Sequence, residues 1–164
     1  MDISHHHLFD APIDVVAALF ADPAYARARG SASGAGDGEA LVDGTPSEGF
    51  SVAVRQAVPA SSIPPEFRGF VGSDLTVRYT EVWEPESDGE RPGTFAVEII
   101  GAPGHAAGSL RLEADGDSTR FGAAGAVTVR IPLVGPMIEK AVGSAVLKAL
   151  DAELALADEW LARR

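Results

Sequence analysis

The chain contains no cysteine. That excludes a disulfide framework, thiolate zinc sites, iron–sulfur clusters and thiol catalysis. Basic residues are scarce: 13 Lys and Arg stand against 24 Asp and Glu, a formal net charge of −11. Nucleic acids and anionic membranes are polyanions and repel such a chain, so neither is an expected partner. No stretch approaches the roughly 18 uninterrupted apolar residues of a membrane-spanning helix. Residues 1–20 open on Asp2 and three histidines, not on a basic, apolar leader. A cytoplasmic protein without stable membrane association is therefore expected. Several chemistries find no motif: there is no phosphate loop, no dinucleotide fingerprint, no His-Glu-x-x-His and no Gly-x-Ser-x-Gly. The Gly-x-Gly pieces between Gly34 and Gly38 lack a third glycine and a following buried strand. Basic patches with interleaved aromatics are absent too.

What is present is the composition of an ordinary globule: 164 residues, 46% hydrophobic and 23% charged. This length fits a single domain over residues 1–164. Area scaling buries about two thirds of the chain's surface, enough for a core and a cavity within it.

Ile3–Phe9 reads as a short strand. Asp10-Ala11-Pro12 then stops it and starts a helix, with Asp10 or Asp14 to serve the free amides and Pro12 in the first turn. Ile13, Val16, Ala17 and Phe20 recur at helical spacing. Asp22-Pro23 breaks that helix, and a second short one is expected over Ala24–Arg29. The Gly/Ala/Ser-rich piece Gly30–Gly38 reads as a loop inside one domain.

Beyond it the period changes to two. Phe50, Val52, Val54 and Val58 form one apolar row, and Leu75, Val77, Tyr79 and Trp83 a second. Phe95, Val97 and Ile99, then Leu110 and Leu112, then Phe121, Val127, Val129 and Ile131 continue the pattern. An apolar face and a polar face, strand after strand, indicate an antiparallel sheet wetted on one side. Glu84–Pro92 and Asp115–Ser118 carry the Asp, Gly and Ser of hairpin connections. Pro132 ends the last strand. From Pro136 to Leu161 the chain projects as a long amphipathic helix with Val142, Val146, Leu150, Leu154 and Trp160 on its apolar arc. That arc needs an apolar partner, and the inner face of the sheet supplies one.

The order is α+β: a strand, one or two short helices, about six antiparallel strands and a long C-terminal helix. With Phe9-Asp10-Ala11-Pro12-Ile13-Asp14-Val15-Val16 at the first strand-to-helix junction, it resembles the START-like (SRPBCC, helix-grip) superfamily from residue 1 to the end. Pollen-allergen-like proteins, polyketide cyclases and lipid-transfer domains belong to that superfamily. Val58-Pro59-Ala60, Ile131-Pro132-Leu133-Val134-Gly135 and Lys148-Ala149-Leu150-Asp151-Ala152-Glu153 are similar to one bacterial family of unknown function within it. The resemblance implies a curved sheet of six or seven strands wrapped around the long helix, with an apolar cavity between them. It implies no catalytic residues and no cofactor. An unrelated α+β sandwich with a filled core is the alternative.

Candidate site residues are the polar exceptions on apolar faces. Glu153 projects between Trp160 and Val146, where a carboxylate needs a partner or a hydrated cavity. It either points into a hydrated cavity as a ligand anchor or a base, or is accounted for by a slight rotation of the helix or a salt bridge to an Arg of the sheet. Glu139 is explained by dipole compensation in the helix's first turn. Gln56 and Glu81 fall on inward rows if no bulge intervenes, and a bulge would turn Glu81 outward. Tyr79 and Trp83 bring a hydroxyl and an indole N–H to the same wall, and Phe95, Val146 and Leu150 supply apolar surface. His5 and His7 share a strand face and have the form of half a metal site. They read better as polar strand residues, so no metal site is assigned. His105, in a turn before a strand, reads as a solvated loop end. Ser61–Gly72, with two prolines and two phenylalanines, is either a cover for the cavity mouth or a stiff connection.

The expected function is binding of a hydrophobic small molecule (fatty acyl, isoprenoid or polyketide-like) in the cavity. One alternative is a cyclase, dehydratase or hydrolase using Glu153 or Glu81 as general acid or base. The other is a filled core with a protein-binding surface. Oligomeric state is left open.

Overall fold

The computed structural model describes residues 1–32, 38–70 and 75–164. Seven strands form one antiparallel sheet: β1 (Asp2–Phe9), β2 (Glu39–Thr45), β3 (Gly49–Val58), β4 (Leu75–Trp83), β5 (Glu90–Ile100), β6 (Gly104–Asp115) and β7 (Ser118–Val129). Their order across the sheet is β1-β7-β6-β5-β4-β3-β2. Every connection from β2 onward joins neighbours. The one crossover, from β1 at one edge to β2 at the other, carries helices α1 (Ile13–Phe20) and α2 (Pro23–Ala32). Helix α3 (Gly135–Ala162) closes the chain. This is the α+β helix-grip architecture expected from the sequence. β2 is not among the strands named from the periodicity; at this edge Leu41 faces solvent.

The burial of β4 follows its inward row of Leu75, Val77, Tyr79, Glu81 and Trp83. Glu81 pairs with Val52 on one side and Phe95 on the other without a bulge. Several turns use left-handed backbone, two of them at hairpins the sequence marks. Gly116 (φ 62°) joins β6 to β7, and Asp88-Gly89 (φ 54° and 78°) precedes β5.

Three local expectations are corrected. Pro12, in extended conformation, is the N-cap of α1 and no side chain caps that helix; Asp14 sits in its first turn. Helix α2 runs through Gly30 to Ala32 instead of giving way to loop, because buried Tyr25, Ala26, Arg29 and Gly30 fasten it to the core. Asp22 Oδ1 accepts the Ala24 N–H at 2.8 Å to start it. Residues 33–37 of the expected loop lie outside the described residues. Glu139 lies beyond the first turn of α3, where it accepts the Val129 N–H at 3.0 Å and contacts the terminal amine of Met1 at 3.2 Å.

The core is uneven. Beneath α1 and the start of α2 an aromatic cluster fills it completely: the Phe20 ring lies 5.8 Å from Phe9, 5.8 Å from Trp83, 6.0 Å from Tyr25 and 6.3 Å from Phe121. Farther along, α3 rests most closely on β7, β1, α1 and α2. Over the middle strands its apolar residues Val146, Leu147 and Leu150 are only half-buried. The sheet curves away from the helix there.

Candidate functional site

That gap is an apolar cavity of about 130 Å³. Phe95, Val97 and Leu110 form its floor, Val146, Leu147, Ala149 and Leu150 its roof, and Ile3, His5 and Ala123 one end. Arg29, Gln56, Tyr79 and Glu153 form the polar end. The room comes partly from small inward residues on the middle strands. Gly108 and Gly125 face each other across β6 and β7, and a Cβ on Gly125 would lie 2.8 Å from the Phe95 ring and 2.3 Å from the Ala107 carbonyl oxygen.

The polar end is built on Arg29. It is almost fully buried, on the face of α2 turned towards the sheet and α3. Its Nη2 contacts Glu81 Oε1 and lies 3.0 Å from Glu153 Oε2, and its Nε donates to that same Glu153 oxygen at 3.1 Å. Tyr79 and Tyr25 flank the guanidinium, with ring centroids 5.2 Å and 5.8 Å from its Cζ. The Trp83 indole donates to Glu81 Oε2 at 2.5 Å, and the Tyr25 hydroxyl donates to the Glu153 carbonyl at 2.9 Å. Three elements of distant sequence, α2, β4 and α3, thus meet in one charge cluster.

One guanidinium faces two carboxylates. Burial weighs against the charge of Arg29, but Glu81 and Glu153 outweigh it and hold the group firmly protonated. Burial raises the Glu153 carboxyl from its ordinary 4.5; Arg29 opposes that rise and the neighbouring Glu81 adds to it. Burial, reinforced by Glu81, also pushes the Tyr79 phenol well above its usual range. Glu153 keeps 18% of its side-chain surface accessible, whereas Glu81 keeps 2%. Since Glu153 lines the cavity, its open surface faces that space. The cluster therefore presents one carboxylate to the cavity and locks the other beneath it.

Of the sequence-derived candidates, Glu153, Gln56, Tyr79, Phe95, Val146 and Leu150 line the cavity. Glu81 and Trp83 do not: they lie below it, bonded to each other, in the filled part of the core. The partner of Glu153 is an arginine of α2 and not of the sheet. Sequence reasoning misses Arg29 itself, because an Arg in a weakly amphipathic, Ala-rich helix carries no periodic signal of burial. His5 and His7 face α3, with Nε2 atoms 3.2 Å from Asp151 and 3.0 Å from Asp158, while His6 points outward. Among the described residues no group of three His, Cys, Asp or Glu is placed to hold a metal ion. His105 lies exposed on β6 opposite Glu98. The Pro-rich stretch forms two short 3₁₀ turns, Ala60–Ser62 and Pro65–Phe70. None of its described residues lines the cavity, and residues 71–72 lie outside the described ones. No helix among the described residues is long and apolar enough to cross a membrane.

The grip of a curved antiparallel sheet on a long terminal helix, with short helices after the first strand, defines the START-like fold. Solved structures agree on the fold. TTHA0849 from Thermus thermophilus superposes with a TM-score of 0.62 at 16% identity, over 99% of this chain and 98% of its own. A START superfamily protein from Mycobacterium smegmatis matches at 0.53 and 16% identity, covering 97% of this chain and 98% of its own. Norcoclaurine synthase from Thalictrum flavum, solved with dopamine and hydroxybenzaldehyde, matches at 0.54 and 17% identity, covering 97% and 87%. Within this class the chain belongs to the family described as Protein of unknown function (DUF2505), which matches residues 4–161. No curated protein matches the sequence.

Proposed function

We propose that this protein binds a small hydrophobic molecule in the cavity between the sheet and α3. The observation that carries this reading is an apolar space, walled by Phe95, Val97, Leu110, Val146 and Leu150, that ends on the partly accessible side chain of Glu153. Burial of apolar ligand surface at roughly 25 cal/mol per Å² would supply most of the affinity. Glu153, Tyr79 and Gln56 would supply orientation. A cavity near 150 Å³ admits a benzene ring, so this one, at about 130 Å³, suits a ring-sized molecule or one segment of a longer isoprenoid or polyketide. A complete fatty acyl chain requires α3 to move away from the sheet. The neighbouring START-like structures support the reading at the level of fold.

The test is native mass spectrometry of the purified protein, with solvent extraction of whatever it carries. A co-purifying apolar molecule released by unfolding is the expected result. Loss of the reading would be an empty protein that also fails to bind toluene in a titration. A second reading, an enzyme with Glu153 as general acid or base, is favoured by one specific observation: Glu153 faces the cavity with its proton affinity raised by burial. It predicts turnover lost in Glu153→Gln while binding is retained.

A further inference from the structure

The polar end of the cavity is built to accept hydrogen bonds. Both nitrogens that Arg29 extends to Glu153 reach the same oxygen, Oε2. The second oxygen of Glu153 receives no donor among the described residues, and the carboxylate is the group whose surface opens on the cavity. Three of the donors nearby point elsewhere: Trp83 bonds Glu81, Tyr79 engages Glu81, and Tyr25 bonds the Glu153 backbone carbonyl, while the Gln56 amide also lines this end. Arg29 Nη1 has no partner among the described residues, but it is sealed from the cavity surface. One cation is set against two carboxylates, so the cluster has surplus negative charge and turns it towards the ligand.

We propose that the cavity selects ring-sized molecules carrying a hydrogen-bond donor, a hydroxyl or an amine, that docks on the free oxygen of Glu153, and that it rejects carboxylates. The proposal rests on the ligand-binding reading and deepens it. A carboxylate ligand would bring a further negative charge into an apolar space beside two others, and the unpaired Arg29 Nη1 is buried out of its reach. A hydroxyl supplies the missing donor, and an ammonium also balances the charge. The fatty acids suggested by the fold class are thus disfavoured by head group as well as by length.

The experiment titrates the whole protein at pH 7 with four probes of one size: toluene, benzyl alcohol, benzylamine and benzoate. Benzyl alcohol and benzylamine are expected to bind at least tenfold more tightly than benzoate, and more tightly than toluene. Benzoate binding as tightly as benzyl alcohol overturns the proposal. So does toluene binding as tightly as both donors, with the cavity reading left intact. Failure of all four overturns the cavity reading and this inference with it. Glu153→Gln should lose the preference for benzylamine over benzoate at least fivefold. Glu81→Gln, which removes a charge beneath the cavity without touching the ligand, should raise benzoate affinity. If neither variant moves the ratio of benzylamine to benzoate, the charge argument fails.

Discussion

Arg29 on α2 grips one oxygen of Glu153 on α3 through two of its nitrogens, Nε at 3.1 Å and Nη2 at 3.0 Å. The same guanidinium holds Glu81 on β4. A single side chain therefore ties both helices to the sheet and sets the charge of the ligand-facing end of the cavity.

Removal of Arg29 should be far more damaging than its number of contacts suggests. Arg29→Met leaves two carboxylates buried without a cation, a change of about 3–5 kcal/mol against folding. Urea denaturation measures it. Adding Glu81→Gln and Glu153→Gln to Arg29→Met should recover much of the loss, since the buried charges go with their partner. A triple variant no more stable than Arg29→Met would contradict the charge argument.

The pH dependence follows from Glu153. Its carboxyl titrates higher in the folded protein than the ordinary 4.5 of the unfolded chain. The folded state then binds more protons, so this group's contribution to stability falls as pH rises from that value through the raised one. Below both values the penalty is absent; above both it is complete. The stability of the wild type relative to Glu153→Gln should therefore decline as pH climbs from about 4.5 towards neutrality. Chemical denaturation of both proteins across that range gives the difference directly, and a flat difference would place the carboxyl at its ordinary value.

The facing glycines of β6 and β7 should tolerate no side chain. A Cβ on Gly125 would sit 2.3 Å from the Ala107 carbonyl oxygen, and one on Gly108 2.1 Å from that of Ala124. These obstacles are backbone and cannot rotate away. Gly125→Ala should destabilise by about 1–3 kcal/mol, visible as a lowered melting temperature.

Filling the cavity from its wall separates binding from the charge cluster. Ala123 lines the cavity at the end away from Arg29. Ala123→Leu should place added methyl groups in the space a ligand would use and weaken toluene binding at least tenfold. Stability should change by less than about 1.5 kcal/mol, since burial gained offsets crowding. Unchanged toluene binding would locate the ligand elsewhere.

Leu133 offers a cleaner stability test. It is fully exposed and left-handed, at φ 71°. A left-handed backbone costs a non-glycine residue roughly 1–2 kcal/mol, and nothing packs on this side chain in return. Leu133→Gly should stabilise the protein by about 1 kcal/mol, measured by thermal or urea denaturation.

Much of this molecule is written in local periodicity. The alternation through Leu75, Val77, Tyr79 and Trp83 places Glu81 on the inner face because side chains on a strand alternate strictly, and the unbulged pairing with Val52 and Phe95 keeps it there. The helical projection likewise puts Glu153 on the face turned to the sheet. Arg29 was not legible in this way. Its burial depends on two carboxylates that lie far away in sequence, and no pattern within α2 announces them. The cavity was legible only as a possibility of the fold class. Its existence depends on how far α3 stands from β5 and β6, which the pairing of Gly108 with Gly125 and the lean of the helix towards β1 and β7 together decide.

By itself, then, the sequence determined the elements, the faces they bury and the absence of thiol chemistry, since each depends on neighbouring residues or on composition alone. The tertiary structure decided which charges meet. It took Glu81 and Trp83 out of the cavity wall and brought Arg29 into it. It also left one carboxylate facing the cavity and sealed the other under it. The physical reason is that desolvation and pairing depend on distances between elements, and those are settled only when sheet and helix pack.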